Sequence, residues 1–449
     1  MWRVPTRLAA LALLAAPAAR GETPATPTQR LRADISALVA FGTRHTLSSE
    51  TDPHRGIGAA RRWAEQRFRE IGAACHGCLE IALPESSVTG ERIHEPAHIV
   101  DIVAVQRGSE RPREVVIVQA HIDSRVSDVM DAGHDAPGAD DDGSGTALVL
   151  EAARVLSQRH FPATIVYAVL SGEEQGLYGG KLLADYAKAQ GWVVKAVLNN
   201  DIVGSTRSSD GAVDANYVRV FSEGPRADAD DKSRAALRRE GGENDSPSRN
   251  LSRYIARIAG RDPRGLAVRQ VWRADRMGRG GDHLPFQALG YPAIRVTEAV
   301  ENYDHQHQDL RQDHGVVYGD RPEFMDFSYL AKVTRFNIAA LDALAHAPMP
   351  PETRLEAAVS NDSVLHWQPV EGAAGYRIYR RVTDASDWGP PVATVMRPAA
   401  TSAGGLTFRM PGIRGDDWFF GVSSLASSEG AESPIASAVP GGQFAPLSH

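Results

Sequence analysis

The sequence predicts an α/β fold with a mostly parallel central sheet, followed by a small all-β sandwich of the immunoglobulin type. Short apolar runs rich in β-branched residues alternate with helical patterns, which is typical of buried parallel strands. These runs are residues 115–118, 163–170, 196–198 and 292–296. Beyond residue 347 the helical patterns stop, and short strand-like runs alternate with glycine turns. A chain of 449 residues is long enough for the two domains that these patterns indicate.

Residues 1–20 have the pattern of a signal peptide. Arg3 and Arg7 precede an apolar run at residues 8–16, and small residues follow this run where cleavage is expected. The run is too short to span a bilayer as a stable helix. The net charge of −7 disfavours binding to nucleic acid or to anionic membranes. We therefore expect a soluble, secreted or periplasmic protein with no transmembrane segment and no nucleic-acid partner.

Helical periodicity flanks the strand region on both sides. The helices with the clearest apolar spacing are predicted at residues 31–39, 59–71 and 329–344. A further helix follows the acidic loop after the first strand, and Ser144 is its predicted N-cap. Residues 223–250 are polar and rich in charge, so we predict either a loop that borders the functional site or a partly disordered segment.

The two cysteines, Cys75 and Cys78, are three residues apart. Such a pair can be a redox motif, and a zinc ribbon would need a second pair that the sequence lacks. In an exported protein a local structural disulfide is favoured.

Histidine and acidic residues follow the predicted parallel strands. These residues are His121, Glu173, Glu174, Asp201 and His305. Asp141 lies in the glycine-rich loop of residues 138–145. Because ligands gather at the carboxyl ends of the strands in an open α/β sheet, we expect these side chains to lie together. Imidazole nitrogens and carboxylate oxygens are suitable zinc ligands, and two zinc ions about 3.5–4 Å apart can activate a water between them.

A two-zinc site needs a bridging carboxylate, further ligands for each ion and a free base, and the sequence offers all three. Asp123 lies two residues after His121 on the same face of the strand end, where it can hold the imidazole. Glu173 and Glu174 are adjacent and therefore diverge, so one can bind an ion while the other acts as a base.

Five segments in this order carry a family resemblance. They are His121-x-Asp123-Ser124, Gly-Ala-Asp-Asp-Asp-Gly-Ser-Gly at 138–145, Ser-Gly-Glu-Glu-Gln-Gly-Leu-Tyr-Gly at 171–179, Asn200-Asp201 and His305-x-x-x-Asp309. Together they resemble the zinc aminopeptidase family of co-catalytic exopeptidases, and the likeness covers residues 30–346. That family is related to glutamate carboxypeptidases and glutaminyl cyclases, and some of its relatives are receptor-like.

The resemblance implies the three-layer α/β/α fold of zinc exopeptidases, two zinc ions and a role for each matched residue. Asp141 would bridge the ions, and the Asp141–Asp142 peptide bond would be cis. The other implied ligands are His121 and Asp201 for one ion, and Glu174 and His305 for the second. Glu173 would be the general base for a hydroxide that bridges the ions. His305 is preferred over His307 because Asp309 then follows at the spacing of the family.

The resemblance further implies an aminopeptidase that acts on peptides. A carboxypeptidase, a glutaminyl cyclase or an inactive receptor-like binding protein are the alternatives. The sequence departs from better-known relatives before Asp282-His283, where it has no tyrosine to stabilise the oxyanion. Arg276 or Arg279 could take that role beside the zinc ions.

A proline-rich linker at residues 347–351 separates the predicted peptidase domain from a sandwich at residues 352–440. Residues 365–370 and 375–379 resemble a fibronectin type III domain. The sandwich offers no candidate catalytic residue, so we expect an appendage that contacts polymer or protein surfaces. A chain that ends near Ala347 is expected to fold and to hydrolyse small substrates.

Overall fold

The computed structural model describes residues 27–402, 404–427 and 430–447, so the predicted signal peptide lies outside the described residues. The helices are α1 (Pro27–Val39), α2 (Ile57–Ala74), α3 (Gly143–Leu156), α4 (Tyr178–Ala189), α5 (Asp231–Glu240), α6 (Pro247–Ala259), α7 (Leu284–Ala288) and α8 (Phe327–His346), with 3-10 turns at Pro322–Phe324 and Gly415–Asp417. The strands up to α8 are β1 (Glu80–Ala82), β2 (Glu85–Gly90), β3 (Ile93–Val100), β4 (Ile102–Gln106), β5 (Arg111–His121), β6 (Ala163–Leu170), β7 (Val193–Asn200), β8 (Tyr217–Phe221), β9 (Ala267–Val271), β10 (Ala293–Glu298), β11 (Arg311–Asp313) and β12 (Val316–Tyr318). Those after α8 are β13 (Thr353–Glu356), β14 (Ser363–Trp367), β15 (Gly375–Val382), β16 (Ala393–Met396), β17 (Leu406–Met410), β18 (Trp418–Leu425) and β19 (Ala436–Ser437). No helix among the described residues is long and apolar enough to cross a membrane.

An eight-stranded sheet with the order β1-β4-β6-β5-β7-β10-β8-β9 forms the centre of the larger domain. The four central strands are β6, β5, β7 and β10, and they run parallel to one another. On the flanks, β4 is antiparallel to β6 and β8 is antiparallel to β10. The predicted α/β fold with a mostly parallel sheet is confirmed. All four central strands end at the same edge, which brings the segments that follow them together.

Helices cover both faces of this sheet because successive strand residues point to opposite sides. Val116 and Val118 of β5 pack in one buried cluster with apolar residues of α1, α2, α3 and α8. Val115 and Ile117 pack in a second cluster with residues of α4 and α7. The result is a layer of helices on each side of the sheet, as the three-layer prediction requires.

The prediction of a loop at residues 223–250 was wrong. This stretch contains α5 and the first turn of α6, whose N-caps are Asp230 and Ser246. In α5 only Leu237 is buried, so the apolar periodicity that marks a helix is almost absent from its sequence. The predicted disulfide between Cys75 and Cys78 is present.

After α8 the chain forms two small antiparallel sheets. One has the order β13-β14-β17 and the other β16-β15-β18-β19. A common apolar core that includes Leu365, Trp367, Ile378 and Val422 lies between them. This is the expected arrangement of a sandwich, in which the inner faces of two sheets share one core.

The sandwich is tied to the α/β domain by a buried polar contact. Asp245, at the start of α6, is fully buried and accepts hydrogen bonds from Arg381 of β15 at 2.6 and 2.8 Å. It also accepts one from Ser437 at 3.2 Å and lies 3.3 Å from Arg253 of α6. The sandwich is therefore packed against the α/β domain through buried polar groups.

Candidate metal centre

Within the part of the chain that the structure describes, two groups could hold a cation, and His121, Asp141 and Asp201 form the first. His121 is the last residue of β5, and its Nε2 lies 3.2 Å from Oδ1 of Asp141 and 4.0 Å from Oδ1 of Asp201. All three side chains are buried, and one donor atom from each lies within 4.8 Å of the others. The strand order accounts for this meeting, because β5 and β7 are adjacent and parallel.

Asp141, Glu174 and His307 form the second group. Nε2 of His307 lies 2.9 Å from Oδ2 of Asp141 and 3.2 Å from Oε1 of Glu174. Asp141 is thus shared, with one carboxylate oxygen facing each group. Oε1 of Glu174 is buried and accepts no hydrogen bond among the described residues, which is the state expected of an oxygen that binds a cation.

The preference for His305 over His307 is corrected by the structure. The ring of His305 stacks on Phe324 with 3.8 Å between the ring centroids, and it belongs to neither group. A turn in which Asn302 accepts from the backbone of His305 directs the following residues towards Asp141. Asp309, on which the preference rested, instead accepts hydrogen bonds from Ser127.

The acidic loop presents only one of its three carboxylates to the two groups. The Asp141–Asp142 peptide bond is cis, as the resemblance implied. Asp142 turns back and accepts from the backbone of His121 and Gly145, so Asp142 and not Ser144 is the N-cap of α3. Gly145 is required at this point, because a Cβ atom there would lie 2.2 Å from the carbonyl oxygen of Asn200. Asp320, which the sequence analysis missed, accepts from the backbone of both Asp140 and Asp141.

Asp123 holds both the imidazole and the glutamate pair. Its carboxylate is fully buried and lies 3.5 Å from Nδ1 of His121, which is also 3.0 Å from its backbone oxygen. The same carboxylate accepts from the backbone N–H groups of Glu173 and Glu174. Asp123 therefore lies against both His121 and the glutamate pair, in the place that the sequence indicated beside the imidazole.

Glu173 lies beside the two groups without belonging to either. It is half-buried and lines an open cleft of about 550 Å³ together with Asp141, Asp201 and His307. Burial, reinforced by the nearby carboxylates of Asp201 and Glu174, raises the pKa of Glu173 well above its ordinary value. A carboxyl group with a raised pKa is suited to accept and return a proton near neutral pH.

Arginines surround the candidate centre. Of these, only Arg276 and Arg279 were expected there from the sequence. Arg295 of β10 is fully buried and donates to Oδ1 of Asp201 at 2.6 Å. Arg125 donates to Oε2 of Glu174 at 2.9 Å. Arg276 donates from its three side-chain nitrogens to Asp275, Glu301 and the backbone oxygen of Gly280, so its guanidinium is held by protein groups.

The carboxylates of the second group favour a positive charge at its histidine. Burial alone would lower the pKa of His307, but the carboxylates of Glu174 and Asp141 outweigh it and raise the pKa to about 9. Nε2 of His307 lies between two carboxylates, where a cation is favoured. A metal ion that takes this place must displace the proton.

The chain resembles known peptidases in sequence and in fold. Residues 101–314 match the model of peptidase family M28. A probable zinc metalloprotease of Pyricularia oryzae is 43% identical over 426 residues, which cover 92% of this chain and 82% of the relative. A second one, from Leptosphaeria maculans, is 45% identical over 364 residues, 80% of this chain and 84% of the relative. The crystal structure of the Legionella pneumophila aminopeptidase LapA covers 70% of this chain and 68% of its own, with a TM-score of 0.50 and 19% identity, so it indicates a shared fold.

Proposed function

Because the chain belongs to peptidase family M28, we propose that it is a zinc-dependent aminopeptidase that removes amino-terminal residues from peptides. The observation that carries the proposal is the pair of ligand groups that share Asp141, with Glu173 free beside them. The relatives described as probable zinc metalloproteases support zinc as the metal.

The residues present fit two zinc ions. The donor set consists of two imidazole nitrogens and three carboxylates, all of types that zinc binds. His121, Asp141 and Asp201 would hold one ion, and Asp141, Glu174 and His307 the other. When bound, the ions would polarise the substrate carbonyl and lower the pKa of a water, so that it can attack at neutral pH.

The protein groups supply the proton transfers and the positioning. Glu173 takes the proton of the attacking water and passes it to the leaving amine. Asp123 fixes the ring of His121 and, through the backbone of Glu173, the position of the base. Arg295 holds the carboxylate of Asp201 in place, since its guanidinium is buried and has no route to solvent.

The size of the cleft favours an exopeptidase. Its volume of about 550 Å³ lies in the range of sites for small ligands, which is enough for a few residues of a peptide. The LapA structure is named as an aminopeptidase, and its shared fold is consistent with removal of the first residue.

The test compares leucine 4-nitroanilide with its N-acetylated form, with and without added zinc. An aminopeptidase cleaves the first and not the second, and a chelator abolishes the cleavage. Glu173→Gln is the matched inactive control. Release of a carboxy-terminal residue from an N-acetylated peptide would instead identify a carboxypeptidase, and formation of pyroglutamate from an amino-terminal glutamine would identify a cyclase.

We also propose that the protein is exported. The support is the amino-terminal pattern of residues 1–20 and the disulfide between Cys75 and Cys78, which persists in oxidising compartments. Amino-terminal sequencing of the protein recovered from the periplasm or the medium tests this. A cytoplasmic protein that still begins at Met1 would contradict it.

A further inference from the structure

We infer that the cleft selects substrates with a carboxylate group close to the bond that is cut, and that Arg279 binds this carboxylate. The inference rests on the proposed function, because it concerns the same cleft. The carboxylate could be the carboxy terminus of a short peptide or an acidic side chain, since both present the same group to a guanidinium.

Arg276 and Arg279 of the cleft wall belong to a cluster in which arginines outnumber the carboxylates that they contact. Arg219, Arg276 and Arg279 all contact the buried Glu301, at 2.5, 3.1 and 2.9 Å. Asp275 is the second buried carboxylate of this cluster, and Arg276 lies 3.1 Å from it. Arg295 pairs with Asp201, and both are left out of this count. The other three guanidiniums therefore share two carboxylates. The excess positive charge is therefore available to pair with an anionic group of a ligand.

Arg279 is the member of this cluster that can reach a substrate. It lines the cleft, and 28% of its side chain is exposed, compared with 8% for Arg276. Its Nη1 donates to Glu301 and Gln306, which fixes the guanidinium by one edge. Among the described residues, Nε and Nη2 of Arg279 have no hydrogen-bond acceptor. These two donors therefore remain for a ligand. A guanidinium binds a carboxylate well through such a pair of N–H groups.

Arg125 is a second arginine of the same cleft. Its Nε donates to Oε2 of Glu174 at 2.9 Å, and its Nη2 lies 2.7 Å from Nδ1 of His307. Of the acids that line the cleft, only Glu91 and the base Glu173 lie outside the ligand groups, and Glu91 is exposed. Bound zinc would offset the charge of the ligand carboxylates, so the arginines of the cleft would then favour an anionic substrate group.

The test measures kcat/KM of the zinc-loaded full chain on matched pairs that differ in one carboxylate. Leu-Ala against Leu-Ala-amide tests a carboxy terminus, and Glu-Ala-amide against Gln-Ala-amide tests an acidic side chain. We expect the carboxylate member of at least one pair to be preferred by about tenfold or more, because a charged hydrogen-bonding site discriminates strongly against a substrate that leaves it unpaired. Arg279→Met should remove most of this preference, and Arg279→Lys should retain part of it.

Arg273→Met is the matched control, since Arg273 is an exposed arginine of the same loop and does not line the cleft. It should keep the preference of the wild type. No preference in any pair, or a preference that Arg279→Met leaves unchanged, would overturn the inference. An equal loss on both members of a pair would also overturn it, because Arg279 would then act on the transition state or on the fold.

The experiment distinguishes failure of this inference from failure of the proposed function. If the amides are cut at their first peptide bond, the proposed function holds and the ratios decide the inference. If none is cut, the proposed function fails, and calorimetric binding of N-acetylglutamate against N-acetylglutamine, to the wild type and to Arg279→Met, decides the inference. Equal binding of both compounds by the wild type would then refute it.

Discussion

Replacement of Arg381 by methionine tests whether the buried contact with Asp245 holds the sandwich on the α/β domain. Arg381 donates two hydrogen bonds to a carboxylate that has no exposure to solvent. Without it, Asp245 keeps only Ser437 and the longer contact of 3.3 Å with Arg253. Loss of one partner of a buried ion pair typically costs about 3–5 kcal/mol, because the other charge stays buried and uncompensated. Methionine retains the apolar stem, but the contacts of the guanidinium with Trp388, Phe419 and the backbone of Ala385 are lost as well and add to this cost.

Urea unfolding followed by tryptophan fluorescence measures the effect. With a slope of about 3 kcal/mol per M, the expected loss lowers the midpoint by about 1 M or more. The matched control is Arg380→Met, because Arg380 lies on the opposite face of the same strand and stacks on Trp418 at 4.4 Å. A contact of that kind at a partly exposed site is worth about 0.5–1 kcal/mol. Equal midpoints for the two variants would refute the argument that the buried pair holds the interface.

Three further predictions concern the metal centre and the effect of pH. Glu173→Gln should reduce turnover by about 10²–10⁴ fold, while its zinc content measured by atomic emission stays unchanged. Glu174→Gln should instead lose an ion. The reverse result would make Glu174 the base and Glu173 the ligand. His307→Ala should also lose an ion and His305→Ala should not, and the opposite outcome would restore the prediction made from the sequence. Burial raises the pKa of Glu223 to about 8, so its favoured protonated form is lost as pH rises through that value. The free energy of unfolding of the wild type, relative to Glu223→Gln, should therefore fall between about pH 5 and pH 8, and a constant difference would contradict this.

The strands and the ligand-bearing segments could be predicted because their signals are local. An apolar run such as residues 163–170 is long, β-branched and fully buried, and the acidic residues that follow it are conspicuous in the sequence. Parallel pairing then brings the ends of such runs to one edge, so His121, Glu174 and Asp201 could be assigned to one site before any coordinates. The cis bond after Asp141 came from the resemblance and not from a local signal.

The errors arose where a side chain is placed by contacts distant in sequence. His305 and His307 differ by two residues in one loop, and the turn at Asn302 together with the stacking of His305 on Phe324 decides which of them faces Asp141. The hydrogen bonds from the backbone of Asp140 and Asp141 to Asp320 join segments about 180 residues apart, and no pattern in either segment indicates them. The buried arginines were missed for the same reason, since arginine in a strand ordinarily indicates an exposed position.

The loop that carries Arg279 connects the sandwich with the candidate metal centre. At its start the ring of Trp272 lies 4.7 Å from the guanidinium of Arg249 and 5.1 Å from that of Arg253. Arg253 in turn donates to the backbone of Ser386 in the sandwich at 2.7 Å.

At its end, Arg295 donates to the backbone of Gly280 at 3.0 Å and also holds Asp201. One end of the loop therefore packs on Arg253, which is bound to the sandwich. The other end is held by Arg295, which also binds the candidate ligand Asp201. Because Arg279 lies between these two anchors, the docked sandwich helps to set its position in the cleft without contributing any side chain to the cleft lining.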